Sequence, residues 1–184
     1  MGKVARPQVA GGLYHVYSRG NGRAAIFLDD ADYATFLRLL EDVVERFEWL
    51  CHGFCLMPNH YHLLLETPEP NLARGMQVLN LAYARSFNWR YARPGHVFQG
   101  PYRSPLVRRE AHLVELCRYI VLNPVRAGLV AHPAGWRWTS YRATAGLEPP
   151  PAYLSTERVL GFFGDVTAFR SFVLAPITVL DLAA

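Results

Sequence analysis

Two apolar runs of eight residues, LCHGFCLM (50–57) and HYHLLLET (60–67), stand on either side of Pro58-Asn59. Proline presets the first central position of a tight turn and asparagine suits the second, so the two runs are expected to fold back as a hairpin. The run LLLE is apolar enough to be a central strand, which requires further strands beside it.

The flanking segments supply them. LYHVYSRGN (13–21) alternates apolar and polar residues into a Gly/Asn turn and reads as a first strand. Asp29 or Asp30 can cap a helix in which Phe36, Leu39, Leu40, Val43, Val44 and Phe47 recur at helical spacing. A second long helix is expected over 71–92, capped by Asn71 and ended near Pro94-Gly95. HVFQGPYRSPLV (96–107) reads as extended, with Pro101 and Pro105 confining it to an edge or a bulged strand. A third helix over 110–123 is expected to stop near Pro124. Gly146 and Pro149-Pro150-Pro151 mark a linker, after which Ser155 can cap a short helix ahead of an apolar tail. The order β-α-β-β-α-β-α predicts an α+β fold: a split β-α-β around an antiparallel sheet, helices on one face, and a third helix over part of the other. The expected division is a main domain over residues 1–146 and a Pro-rich linker and tail over 147–184.

Charge is unevenly distributed. Residues 71–142 hold eleven arginines against two glutamates, a balance of +9, whereas the whole chain of 184 residues carries +4. Arginine interleaved with Tyr, Trp and Phe suits phosphate contact with base stacking, and a solvated basic face is the plainer alternative. No apolar run approaches the ~18 residues of a membrane span, and the N-terminus has no apolar signal core. Three cysteines, Cys51, Cys55 and Cys117, show no disulfide-framework spacing, so reduced thiols in a cytoplasm are expected. No Gly-rich phosphate loop is present.

Residues two apart on a strand share a face, so His60 and His62 are neighbours while Tyr61 points away. Two imidazoles can share a divalent ion but hold a catalytic one poorly without a further polar ligand. The third helix offers candidates: Tyr119 and Asn123 are four apart on one face, and Glu115 extends it by a turn. The alternative is a core tyrosine and an asparagine that merely ends the helix. Another alternative is a structural zinc site built from Cys51, Cys55, His60 and His62. Tyr102 and Tyr141, each beside an arginine, read as stacking or core residues.

MPNHYHLLLE, FQGPYRSPLV, LCRYIVLNPVRAGLV and WRWTSYRA, in that order and after the opening YHVYSRGN, resemble the single-tyrosine HUH transposases. The similarity is closest to the branch of REP-associated tyrosine transposase-like proteins and runs from about Tyr14 to about Arg142. It implies a ferredoxin-like sheet, a divalent ion (Mg²⁺ or Mn²⁺) on His60 and His62, Tyr119 as nucleophile, and Asn123 as third ligand. This chain departs from the family in having Tyr61 between the histidines, and in carrying asparagine where many relatives have glutamine. The implied activity is nicking and joining of single-stranded DNA at hairpin-associated sites through a 5′-phosphotyrosine. A hairpin DNA- or RNA-binding protein without the chemistry is the alternative. Arg103, Arg108, Arg109 and Arg118 are the candidate phosphate contacts. The resemblance favours a cytoplasmic, nucleoid-associated monomer, with a homodimer as the other possibility.

Overall fold

The computed structural model describes residues 8–175. Three strands, β1 (Gly12–Arg19), β2 (Leu50–Met57) and β3 (His60–Thr67), form an antiparallel sheet in the order β1-β3-β2. The two runs around Pro58-Asn59 are thus a hairpin with β3 central. The helix between β1 and β2, α1 (Asp30–Arg46), makes the split β-α-β unit. Asp29 caps it, its carboxylate accepting from the Ala31 and Asp32 amides.

Segment 96–107 does run antiparallel along the outer edge of β1, but as isolated bridges, Tyr14 with Leu106, Tyr17 with Arg103 and Gly20 with Phe98. Pro101 and Pro105 have no N–H to give, so a continuous ladder cannot form there. The remaining contacts are sound: the Tyr17 and Arg103 main chains exchange bonds of 3.0 and 2.8 Å.

Each sheet face is covered differently. On one, Tyr14, Val16, Phe54, Leu56, Tyr61, Leu63 and Leu65 pack with α1 and with α2 (Leu72–Arg90). On the other, Leu13, Cys55, Met57 and Leu64 pack beneath α3 (Glu110–Arg126) through Leu113, Leu116, Cys117, Ile120 and Val121. Three shorter helices follow, α4 (Tyr141–Thr144), α5 (Glu157–Gly161) and α6 (Val166–Leu174), and Tyr141, Val159, Phe169 and Val173 extend this second core. Tyr141 and Tyr102 are both buried.

Several local expectations change. Asn71 stands at the N-cap of α2, but its side chain is used elsewhere: Oδ1 accepts from Trp49 Nε1 (2.6 Å) and Nδ2 donates to the Phe47 carbonyl (3.2 Å). That helix ends at Arg90, short of Pro94. Helix α3 does not stop at Pro124 but runs on to Arg126. It closes with Gly128 in the left-handed region (φ 69°), where Leu129 N–H meets the Pro124 carbonyl and Gly128 N–H that of Val125. Thr156, not Ser155, is the N-cap of α5, and the Ser155 hydroxyl donates to Glu157. The tail contains a further helix, α6, capped by Asp165.

A β-bulge at His52 shifts the register of β2 between Cys51 and Gly53. Side chains alternate along a strand, so the extra residue sends Cys51 to the α1/α2 face and leaves Cys55 facing α3. The two thiols thus lie on opposite sides of the sheet, and burial pushes that of Cys51 up to about 12. A zinc site that uses both is not available.

Candidate active site

The hairpin turn fixes where β3 begins. The Pro58 carbonyl accepts from Ile26 N–H (2.8 Å) and the Asn59 carbonyl from Gly20 N–H (2.8 Å), pinning the turn to the chain leaving β1. His60 and His62 then project from the α3 face, opposite Arg19 and Tyr17 of β1 respectively. Tyr61 points the other way, fully buried, its hydroxyl donating to Asn80 Oδ1 (2.8 Å).

A cleft of about 1040 Å³ opens on this face. Its floor is His15, Tyr17 and Arg19 of β1 with His60 and His62 of β3. One wall is a helical stripe of α3: His112, Glu115, Tyr119, Asn123 and Arg126. The other is the 99–105 segment, held there by its bridges to β1 and contributing Arg103. Three arginines (19, 103, 126) against one glutamate (115) make the lining electropositive.

Tyr119 is 37% exposed, with its ring edge-on to His62 (centroids 5.6 Å, 83°) and to His15 (6.2 Å, 77°). The Arg126 guanidinium lies 5.2 Å from the ring centroid on its face. Asn123 Nδ2 donates to the Tyr119 carbonyl (2.9 Å), and Asn123 lines the cleft together with His60. His60, His62, Tyr119 and Asn123 are therefore brought together at one end of the cleft.

The arginines divide. Arg103 lines the cleft, whereas Arg108 and Arg109 are exposed where α3 begins, outside its lining. Arg118 is buried on the other side of α3, where it donates to the Ala175 carbonyl and lies over the Phe172 ring (5.2 Å). It anchors the tail helix and does not reach the cleft. Sequence reasoning passed over His15, Tyr17, Arg19 and Arg126. The alternation of LYHVYSRGN puts the first three on one strand face, and Arg126 continues the Tyr119–Asn123 stripe by three residues.

The histidines are suited to a metal. Burial, then the neighbouring Arg19 charge, pushes His60 down to about 4. Burial, then His15, His60 and Arg19, holds His62 well below its usual range. Both are therefore neutral imidazoles with a lone pair to offer. His60 Nδ1 lies 2.6 Å from Asn59 Oδ1 and His62 Nδ1 lies 2.9 Å from His15 Nε2, so Nε2 of each ring is the nitrogen left for an ion. Among the described residues no group of three or more His, Cys, Asp or Glu could hold a metal. An ion here would rest on two imidazoles, the Asn123 amide and oxygens of the substrate.

Comparison with known proteins agrees with this architecture. The family described as "Transposase IS200 like" matches residues 8–123, from before β1 to Asn123 of α3, well over half of the chain. The chain belongs to the IS200-like transposase family. A Haemophilus influenzae protein assigned as a REP-associated tyrosine transposase is 25% identical over 178 residues, covering 90% of this chain and all of the relative. Among solved structures, a REP-associated tyrosine transposase bound to a REP hairpin matches 84% of this chain and 92% of its own, at a TM-score of 0.70 and 15% identity. A Deinococcus radiodurans protein assigned as a transposase aligns at a TM-score of 0.47 and 22% identity, over 64% of this chain and 95% of its own. This IS200-like transposase is an enzyme by family. No helix among its described residues is long and apolar enough to cross a membrane.

Proposed function

We propose that the chain nicks and rejoins single-stranded DNA beside hairpins, with Tyr119 as nucleophile and a divalent ion, Mg²⁺ or Mn²⁺, held by His60, His62 and Asn123. The observation that carries this is the meeting of Tyr119 with His62, 5.6 Å between ring centroids, in one electropositive cleft with His60 and Asn123. The hairpin substrate rests on the solved relative, whose bound partner is a REP hairpin.

A phenol titrates near about 10 and is a weak nucleophile at neutral pH, so the developing charge must be offset. An ion held by His60, His62 and Asn123 would supply that as a Lewis acid toward the scissile phosphate. The Tyr119 oxygen forms a bond to phosphorus as the bond to the 3′-oxygen breaks. The phenol proton passes to solvent in the open cleft, and the departing 3′-oxygen takes a proton from solvent to leave as a 3′-hydroxyl. The 5′-phosphate stays on Tyr119, so the reverse attack by a 3′-hydroxyl rejoins DNA without a nucleotide cofactor. Arg19, Arg103 and Arg126 hold backbone phosphates around the reacting one, and Arg108 and Arg109 extend that track outside the cleft. In this reading residues 1–146 carry the chemistry, residues 147–184 form the tail, whose described part, up to Ala175, buttresses α3, and the protein works at the nucleoid in the cytoplasm.

The test is incubation with hairpin-bearing single-stranded DNA and Mn²⁺, followed by a denaturing gel. A covalent adduct is expected from the wild type and not from Tyr119→Phe, which should still bind the hairpin. An adduct that survives Tyr119→Phe rejects the nucleophile. Hairpin binding with no adduct on any hairpin substrate points to the non-catalytic binding protein.

A further inference from the structure

We propose that His15 sets the tautomer of His62, so that His62 presents its Nε2 lone pair to the divalent ion; this rests on the metal-site reading above. His15 is on β1, diagonally across the β1–β3 ladder from His62 and on the same face. Its Nε2 is 2.9 Å from His62 Nδ1, and the two ring planes are only 23° apart with centroids at 5.1 Å. An imidazole N–H and an imidazole lone pair both lie in the plane of their ring. Near-coplanar rings with nitrogens at that distance therefore describe an N–H···N hydrogen bond and not stacking.

Such a bond holds one proton. If His62 donates it, His62 Nε2 is free to ligate and His15 carries its own proton on Nδ1. If His15 donates it, the His62 proton sits on Nε2 and blocks the ion. The neighbouring ligand has a different lock: Asn59 Nδ2 donates to the Arg23 carbonyl (3.2 Å), which turns the amide oxygen toward His60 Nδ1. An amide oxygen can only accept, so His60 is fixed as the Nδ1–H tautomer. His62 has no comparable oxygen at Nδ1 and depends on His15. His15 is itself kept in place by the Tyr17 ring (4.9 Å) and by the edge contact with Tyr119 (6.2 Å). With its Nε2 directed at His62, it is a positioning residue behind the ligand and not a ligand.

Long-range ¹H–¹⁵N correlation spectra of the metal-free protein read the tautomer directly. Wild-type His62 is expected as Nδ1–H, and His15→Phe should return it to Nε2–H, the form that free imidazole side chains prefer. His15→Gln, whose amide oxygen can accept where Nε2 did, should keep Nδ1–H. Titration with Mn²⁺ followed by electron paramagnetic resonance should show affinity lowered about 10- to 100-fold in His15→Phe and largely restored in His15→Gln. A purely structural role predicts no rescue by glutamine and no change of tautomer. Wild-type His62 found as Nε2–H overturns the proposal without any variant, as does unchanged Mn²⁺ affinity in a folded His15→Phe protein. Mn²⁺ binding that survives His62→Ala rejects instead the metal site on which the proposal rests, an outcome the tautomer measurement does not depend on.

Discussion

Asn123 is where the site is most finely balanced. Its Nδ2 donates to the Tyr119 carbonyl at 2.9 Å, which leaves Oδ1, the atom a hard cation would use, free of that bond. If the proposed ligand set holds, replacement by leucine should weaken Mn²⁺ by about tenfold or more, since one of its three protein ligands is lost. Asn123→Asp keeps an oxygen and adds charge, and should bind Mn²⁺ at least as well as the wild type in the same paramagnetic resonance titration. Equal affinity in all three proteins would remove Asn123 from the site. The participants of this site differ in how visible they were. His60, His62, Tyr119 and Asn123 stand at strand or helix spacing within single elements, so periodicity alone puts each pair on a shared face. His15 does not: its meaning depends on the β1–β3 register that sets it beside His62, and register is a property of two strands together. Arg118 shows the converse. It is one residue from Tyr119, but a step of one on a helix turns the side chain about 100°, into the tail.

At the scale of elements, punctuation residues were the harder part to read. Pro124 signals the end of a helix, yet α3 continues for two more residues because Gly128 can adopt a positive φ and close the last turn over it. Arg126 reaches the Tyr119 ring from that extra turn. The His52 bulge was not legible at all, because apolar runs do not announce an extra residue, and it alone separates Cys51 from Cys55. Helix α1 was legible from its cap, and the cap has a second duty. Arg90, at the end of α2, donates to both Asp29 oxygens at 2.6 Å and to Asp32 at 2.7 Å, tying the two helices together. The Arg90 hydrogen bonds, helped by those from the Asp32 and Ala31 amides, lower the Asp29 carboxyl below 3.8. Since the folded value is the lower one, this stabilisation is complete above about pH 4 and is lost as pH falls through the folded value. The urea midpoint should therefore fall between about pH 5 and pH 3 more steeply in the wild type than in Asp29→Asn, which keeps a capping oxygen without the charge. Added salt should narrow the difference, because the pair is partly exposed.

For the whole molecule, the question is whether one chain makes a complete site. Both edges of the sheet are occupied by the chain itself: segment 98–106 bridges to β1, while Thr139 and Leu154 bridge to the free side of β2. An edge already bonded in this way offers no ladder to a second copy. The helix that carries Tyr119 also packs on its own sheet and under its own tail, through Ile120, Phe169 and Val173. All of these contacts are made within one chain, so the packing of the site needs no second copy. Tyr119 is accordingly expected to act in cis, in a monomer. Light scattering should report a mass near the 20.8 kDa of the chain without DNA, and that mass plus one hairpin when DNA is bound. The sharper test mixes two inactive variants, His62→Ala and Tyr119→Phe, with hairpin DNA and Mn²⁺. If tyrosines are exchanged between subunits, a mixed dimer regains one intact site and the covalent adduct returns. If each chain uses its own tyrosine, the mixture stays as inactive as its parts, because neither variant can lend the group the other lacks.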